Sequence, residues 1–203
     1  RLKMPWLPYL ALGAALVALL NWKSLPVVYH IRLFVLYIGW GFMEPQLRRA
    51  DEETEVSMLA TPDDLDYNMH LSNSSYIKNC DFARYYHFVR LLGSVRKALQ
   101  VRVANAGVWS SFRKAVPPLA RYSIKTKLVG HDDKWLFVRH QVVVRGVVHS
   151  TLVVKTVFKH ANGKTFPPLE VLQWLGYVDS DHSGLKQSEF PAGWDALESS
   201  TTA

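Results

Sequence analysis

Asp64-Leu65-Asp66-Tyr67-Asn68-Met69-His70-Leu71-Ser72-Asn73-Ser74-Ser75-Tyr76 is the stretch that decides how the chain folds. Ahead of it, Val56-Ser57-Met58-Leu59-Ala60 has the character of a strand. Thr61-Pro62-Asp63-Asp64 stops that strand, because proline lacks an N–H and paired aspartates favour a turn. Behind it, Tyr76, Ile77, Cys80, Ala83, His87, Phe88 and Leu91 recur at helical spacing as far as Gly93. That pattern predicts one long helix over 73–92. Ser72, Asn73 and Ser74 are all residue types that cap a helix start. The stretch is therefore an extended approach running into a helix. Along it Asp66, Asn68 and His70 fall at alternate positions, so their side chains share one side.

Beyond the helix the period changes to two. Leu119 to Val129 alternates, and Trp135 to Val144 and Val147 to Phe158 are rich in β-branched and aromatic residues. Gly130-His131-Asp132-Asp133-Lys134 and Arg145-Gly146 read as the hairpin turns between them. Val108 to Phe112 is a further candidate strand, Leu169 to Leu175 a weak helix, and Phe190-Pro191-Ala192-Gly193-Trp194 a terminal hydrophobic clip. One long helix followed by antiparallel strands is an α+β pattern in which the helix must bury its apolar face on the sheet.

The N-terminal residues differ from this domain. From Met4 to Leu20 the only polar side chain is that of Tyr9, with Trp6 and Trp22 flanking the run where an aromatic belt would lie. About 17 apolar residues are just enough to span a bilayer, so residues 1–24 are expected to form a transmembrane anchor. A cleaved signal peptide is the rival, yet Asn21-Trp22-Lys23 follows Leu20 where a small-residue cleavage site would be needed. Residues 25–50 hold a second apolar stretch interrupted by His30 and Arg32. It is expected to lie along the membrane surface as an amphipathic segment and linker, leaving 51–203 as the soluble domain and its tail. Lys23, Arg32, Arg48 and Arg49 outnumber Arg1 and Lys3, which places the domain on the cytoplasmic side by the positive-inside rule.

Composition narrows the function classes. A formal charge of +7 suits an anionic membrane or a phosphate-bearing ligand. Its lysines and arginines are scattered, which argues against nucleic acid as a partner. One cysteine, Cys80, rules out an intramolecular disulfide, and the eight histidines show no metal-ligand spacing, so neither a metal nor any other cofactor is implied.

Asp66, His70, Asn73 and Tyr76 match the pattern Asp-x-x-x-His-x-Asn-Asn-x-x-Tyr that hotdog-fold acyl thioesterases carry just before and into their central helix. Asn68 adds the Asp-x-Asn-x-His form of acyl-carrier-protein thioesterases. Two positions depart from the pattern: Met69 stands where many members have glycine, and Ser72 replaces the first of the paired asparagines. The apolar N-terminus and the Phe190 to Trp194 tail most resemble the membrane-associated branch known as thioesterase superfamily member six. The resemblance implies a hotdog fold, a long central helix wrapped by an antiparallel sheet. It also implies a homodimer and hydrolysis of acyl-CoA or acyl-carrier thioesters, with a medium or long acyl group given the membrane anchor.

The chemistry fits these residues. Thioester hydrolysis needs an activated water or a carboxylate nucleophile, together with donors for the oxyanion. Asp66 is expected to be base or nucleophile, with Asn68 and His70 orienting water or tuning the carboxylate. The Asn73 amide, among the unpaired donors of the first helical turn, is expected to hold the carbonyl oxygen. Arg113, Lys114, Lys125 and Lys127 are the cations offered for a CoA nucleotide. The plainer alternatives are that Asp66 caps a turn, His70 is a satisfied histidine, Asn73 an ordinary cap, and Asp81–Arg84 an exposed ion pair. The rival function is a hotdog domain that binds acyl-CoA or lipid without efficient turnover, as Met69 and Ser72 would allow. A dehydratase is disfavoured, because here the acid precedes the histidine.

Overall fold

The computed structural model describes residues 7–25, 27–160 and 162–177. Its helices are α1 (Leu7–Leu20), α2 (Val28–Ile31), α3 (Trp40–Met43), α4 (Asn73–Leu92), α5 (Val95–Ala98) and α6 (Pro168–Leu175), with a π turn over Arg32–Gly39 joining α2 to α3. Its strands are β1 (Thr54–Leu59), β2 (Val101–Phe112), β3 (Arg121–His131), β4 (Leu136–Val144), β5 (Val147–His160) and β6 (Thr165–Phe166). All pairings are antiparallel, in the order β1-β3-β4-β5-β2, with β6 added to β5. Period-two alternation places Tyr122, Ile124, Thr126 and Leu128 of β3 on the face that α4 covers. The expected α+β hotdog arrangement of a long helix on an antiparallel sheet is present.

Packing holds α4 more than its caps do. Ser72 is the N-cap, its hydroxyl accepting the Ser75 amide, and Gly93 ends the helix with φ 71°. A cap contributes about 1 kcal/mol. Each of Phe82, Phe88, Leu91 and Leu92, all buried, contributes about 1.5–3 kcal/mol. The apolar core falls into two clusters at opposite ends of α4. One joins Tyr76, Cys80, Phe82 and Tyr86 to Val56, Ile124, Val142 and Leu152. The other joins Phe88, Leu91 and Leu92 to Leu136, Phe158, Leu172 and Leu175.

A polar layer lies at the same sheet–helix interface. Thr54, Thr126 and His140 are neighbours across β1, β3 and β4. Thr54 Oγ1 lies 2.9 Å from His87 Nδ1, and Thr126 Oγ1 lies 2.9 Å from His140 Nδ1. Both imidazoles are fully buried, and among the described residues neither has a partner at Nε2. Arg84, which the sequence reading puts in an exposed pair with Asp81, does pair with Asp81 but is itself buried. Helical spacing places it on the face turned to the core.

Other differences are local. β2 begins at Val101, well before the expected strand at Val108, because a bulge at Asn105–Gly107 breaks the alternation that would have signalled it. Arg145 and Gly146, with φ of 48° and 79°, form the expected tight hairpin turn. The Phe190 to Trp194 clip lies outside the described residues.

The described part of the expected anchor is short. α1 has 14 residues, about 21 Å at the α-helical rise, against a hydrocarbon core of about 30 Å. Among the described residues no helix is long and apolar enough to cross a membrane. The chain turns at Asn21 into a 3-10 turn over Trp22–Ser24 because Lys23 is drawn into the domain, where it is buried against Asp64. Residues 1–6 lie outside the described residues. From Tyr29 to Gly41 the chain packs against α4, and Arg32, the charge that interrupts the apolar run, is itself buried with its guanidinium 4.5 Å from the Phe82 ring centroid.

Candidate active site

The approach to α4 folds into a small hairpin. Ser72 donates its amide to the Asp64 carbonyl (2.9 Å), Leu65 bridges Leu71, and the Asp66 amide donates to the His70 carbonyl (2.8 Å). At its tip Met69 adopts φ 59°, the left-handed region. Glycine enters that region freely, whereas other residues meet a cost of about 1–2 kcal/mol. This accounts for glycine in the related pattern. The Leu71 amide donates to the Val116 carbonyl (2.9 Å), tying the hairpin to the β2–β3 connection.

Asp66 has a dual position. Its Oδ1 accepts the amides of Asn68 (2.9 Å) and His70 (3.2 Å), as a turn-capping aspartate does. The same residue also lines a cleft of about 240 Å³ with His70 and Asn73. Tyr76 and Phe112, 5.1 Å apart between ring centroids, form an aromatic wall, and Arg113 and Lys114 stand at the rim. Burial pushes the Tyr76 phenol up, partly offset by its hydrogen bond to the Val116 backbone, so it stays protonated. Three of the four expected site residues therefore converge. Asn68 does not line the cleft; it is exposed at the hairpin tip. Ser72 takes the Ser75 amide on its hydroxyl and the Tyr76 amide on its carbonyl (3.0 Å). The first-turn amides of Asn73 and Ser74 are left without intrahelical partners.

Lys114 also borders a second groove of about 700 Å³, lined by Arg121, Arg145 and His149 with Leu119 and Val147, and, among the described residues, by no carboxylate. The sequence offered Lys125 and Lys127 for an anionic ligand. Instead Lys125 lies 3.5 Å from Glu53 and Lys127 lies 3.7 Å from Asp51. Arg121, Arg145 and His149 were missed because they are brought together only by the folding of the β4–β5 turn beside the β2–β3 connection. Phe112 was missed because β2 does not alternate cleanly.

A long helix whose N-terminus meets an acid-bearing turn, over an antiparallel sheet in the order found here, is a hotdog domain. Solved structures agree on the fold. The DHNA-CoA thioesterase from Staphylococcus aureus superposes with a TM-score of 0.51 at 11% identity, covering 74% of this chain and 91% of that one. A gentisyl-coenzyme A thioesterase gives a TM-score of 0.52 at 18% identity, over 59% of this chain and 99% of that one. The chain belongs to the Thioesterase-like superfamily, whose family model matches residues 60–190, and thioester hydrolase is the enzyme class of that family. Protein THEM6 of Xenopus laevis is 28% identical over 194 residues, covering 88% of this chain and 93% of that protein. A probable thioesterase of Saccharomyces cerevisiae is 26% identical over 176 residues, covering 77% and 75%.

Proposed function

We propose that the chain hydrolyses acyl-CoA thioesters carrying medium or long acyl groups, at a membrane surface. The observation behind this reading is the convergence of Asp66, His70 and the start of α4 on one cleft that shares Lys114 with a cationic groove. With Oδ1 held by the turn, Oδ2 of Asp66 takes the proton of a water that adds to the thioester carbon. The amides of Asn73 and Ser74 receive the oxyanion at the positive end of the helix. Collapse expels the thiol, which leaves with the proton Asp66 had taken, and the products are a free acid and a free thiol. The groove of Lys114, Arg121, Arg145 and His149 accommodates the phosphates of the thiol carrier.

Two further parts of the reading concern assembly. A second copy is proposed to pair along the edge of β2, which among the described residues pairs only with β5, and where Val108, Trp109 and Phe112 are exposed and Phe112 already belongs to the cleft. Membrane attachment is assigned to α1, exposed through Leu10, Leu12, Leu16, Val17 and Leu19, and to Ile31, Phe34, Val35, Trp40 and Met43 beyond it. The domain is proposed to face the cytoplasm.

The test is thiol release from short-, medium- and long-chain acyl-CoA by the wild type and Asp66→Asn. Asparagine keeps an Oδ1 acceptor for the turn, so the fold is expected to survive while turnover falls about 10²–10⁴-fold. Full turnover in Asp66→Asn would remove Asp66 from the chemistry, and a preference for short hydrophilic acyl groups would overturn the chain-length assignment. Because Asp66 also serves the turn, the rival reading is an acyl-CoA binder. Stoichiometric acyl-CoA binding without thiol release would establish it.

A further inference from the structure

Asp64 is fully buried, and its carboxylate is the meeting point of three parts of the chain. From the N-terminal segment, 41 residues earlier, Lys23 reaches Oδ2 and also donates to the Leu59 carbonyl (3.0 Å). From the second turn of α4, Lys78 Nζ stands 3.4 Å from Oδ1. From the end of β1, the Thr61 amide (3.3 Å) and hydroxyl (3.0 Å) complete the shell around Oδ2. The backbone of the same residue closes the site hairpin, because its carbonyl accepts the Ser72 amide. Only Leu65 separates Asp64 from Asp66.

Burial alone would push the Asp64 carboxyl up, but the Lys23 hydrogen bond and the charges of Lys23 and Lys78 hold it below the usual carboxylate range. Burial lowers Lys23 despite its bond to Asp64, so neither partner has water to fall back on. Breaking such a pair from one side leaves an uncompensated charge inside the protein. The neighbouring backbone must then move to bring in solvent, and the hairpin is that backbone.

We propose that Lys23 and Asp64 are positioning residues: the N-terminal segment clamps the base of the 64–72 hairpin through them, and so sets the aim of Asp66 into its cleft. This rests on the hydrolase reading above. It makes residues outside the matched family region, which begins at residue 60, part of the working site.

The test uses the full chain, with Lys23→Met, Lys23→Arg, the double variant Lys23→Met/Asp64→Asn, and Arg49→Met as a control that removes an exposed pair. Displacement of a catalytic group by about 1 Å costs up to about 100-fold. Lys23→Met is expected to lose at least about tenfold in kcat with KM within about threefold. Lys23→Arg is expected to recover most of kcat, and Arg49→Met to lose none. Because Lys23→Met can fail to fold, the double variant, which buries no unpaired charge, is expected to fold and still show the kcat loss. Amide hydrogen exchange reads the clamp directly, with protection lost at His70 and Ser72 and retained along β4 and β5. Unchanged kcat in the folded double variant, or hairpin and sheet losing protection together, overturns the proposal. If the wild type releases no thiol from any acyl-CoA, the hydrolase reading fails, and exchange alone decides whether the clamp holds the hairpin.

Discussion

The two buried histidines predict a steep acid instability. His87 is fully buried, and desolvation, helped by the charge of Arg90, lowers it to about 3. His140 is lowered well below the ordinary histidine value by burial and by the charges of Arg84 and His87. Nδ1 of each ring is engaged by a threonine hydroxyl, so the protonated ring, with an N–H on both nitrogens, would leave the one at Nε2 without an acceptor among the described residues. The folded values lie below the unfolded one, so the folded state binds fewer protons. The stability these groups contribute is complete above about pH 6.5 and is lost as pH falls from there toward about 3. For His87 alone the loss between about pH 6.5 and about pH 4.5 is about 2 kcal/mol, the slope approaching about 1.36 kcal/mol per pH unit toward the acid end. His140 adds to it with the same sign. Against a typical domain stability of about 5–15 kcal/mol, that loss is large.

Urea unfolding followed by tryptophan fluorescence, at intervals from about pH 7.5 to about pH 4.5, measures it. His87→Gln cannot titrate, so its stability should fall less steeply than the wild type's by about 1.36 kcal/mol per unit between about pH 5.5 and about pH 4.5. A general loss of stability from the altered Thr54 contact shifts the whole curve and leaves this slope comparison intact. Equal slopes in the two proteins, or a flat wild-type profile, would refute the reasoning.

Two further outcomes concern assembly. Trp109→Lys puts a charge on the β2 edge and should sediment as a monomer while the wild type sediments as a dimer; a monomeric wild type would refute the pairing. Replacing Phe34 and Val35, both exposed, by serine should cut flotation with phosphatidylcholine vesicles at least about tenfold, since each apolar side chain withdrawn from water contributes about 1.5–3 kcal/mol. Unaltered flotation would place the attachment elsewhere.

Much of the fold is legible in the sequence where one local rule acts alone. The α4 spacing, the Gly93 stop and the Arg145-Gly146 turn each follow from backbone preferences that tertiary context does not reverse. The Asp66, His70 and Asn73 convergence is legible for the same reason, since a short approach and a helix start fix their relative placement. Asn68 departs from expectation because the left-handed Met69 and the Asp66 cap curl the approach into a hairpin, so alternation no longer holds at its tip. The cationic groove is not legible, because Lys114, Arg121, Arg145 and His149 come from strand ends that only the sheet order brings together. Nor is the burial of Lys23 and Arg32, which hydropathy reads as surface charges beside an apolar run.

That burial changes what the N-terminal segment can offer a lipid headgroup. Lys23 and Arg32 count as cations when orientation is read from the sequence. In the folded chain one faces Asp64 and the other the ring of Phe82. The exposed face keeps Ile31, Phe34, Val35, Trp40 and Met43 without those two charges. Contact made through such a face rests on apolar burial, which dissolved salt strengthens, and not on charge attraction, which is screened within about 8 Å at physiological ionic strength. The attachment proposed above is one that a rise in ionic strength, which strips polybasic proteins from a bilayer, would leave in place.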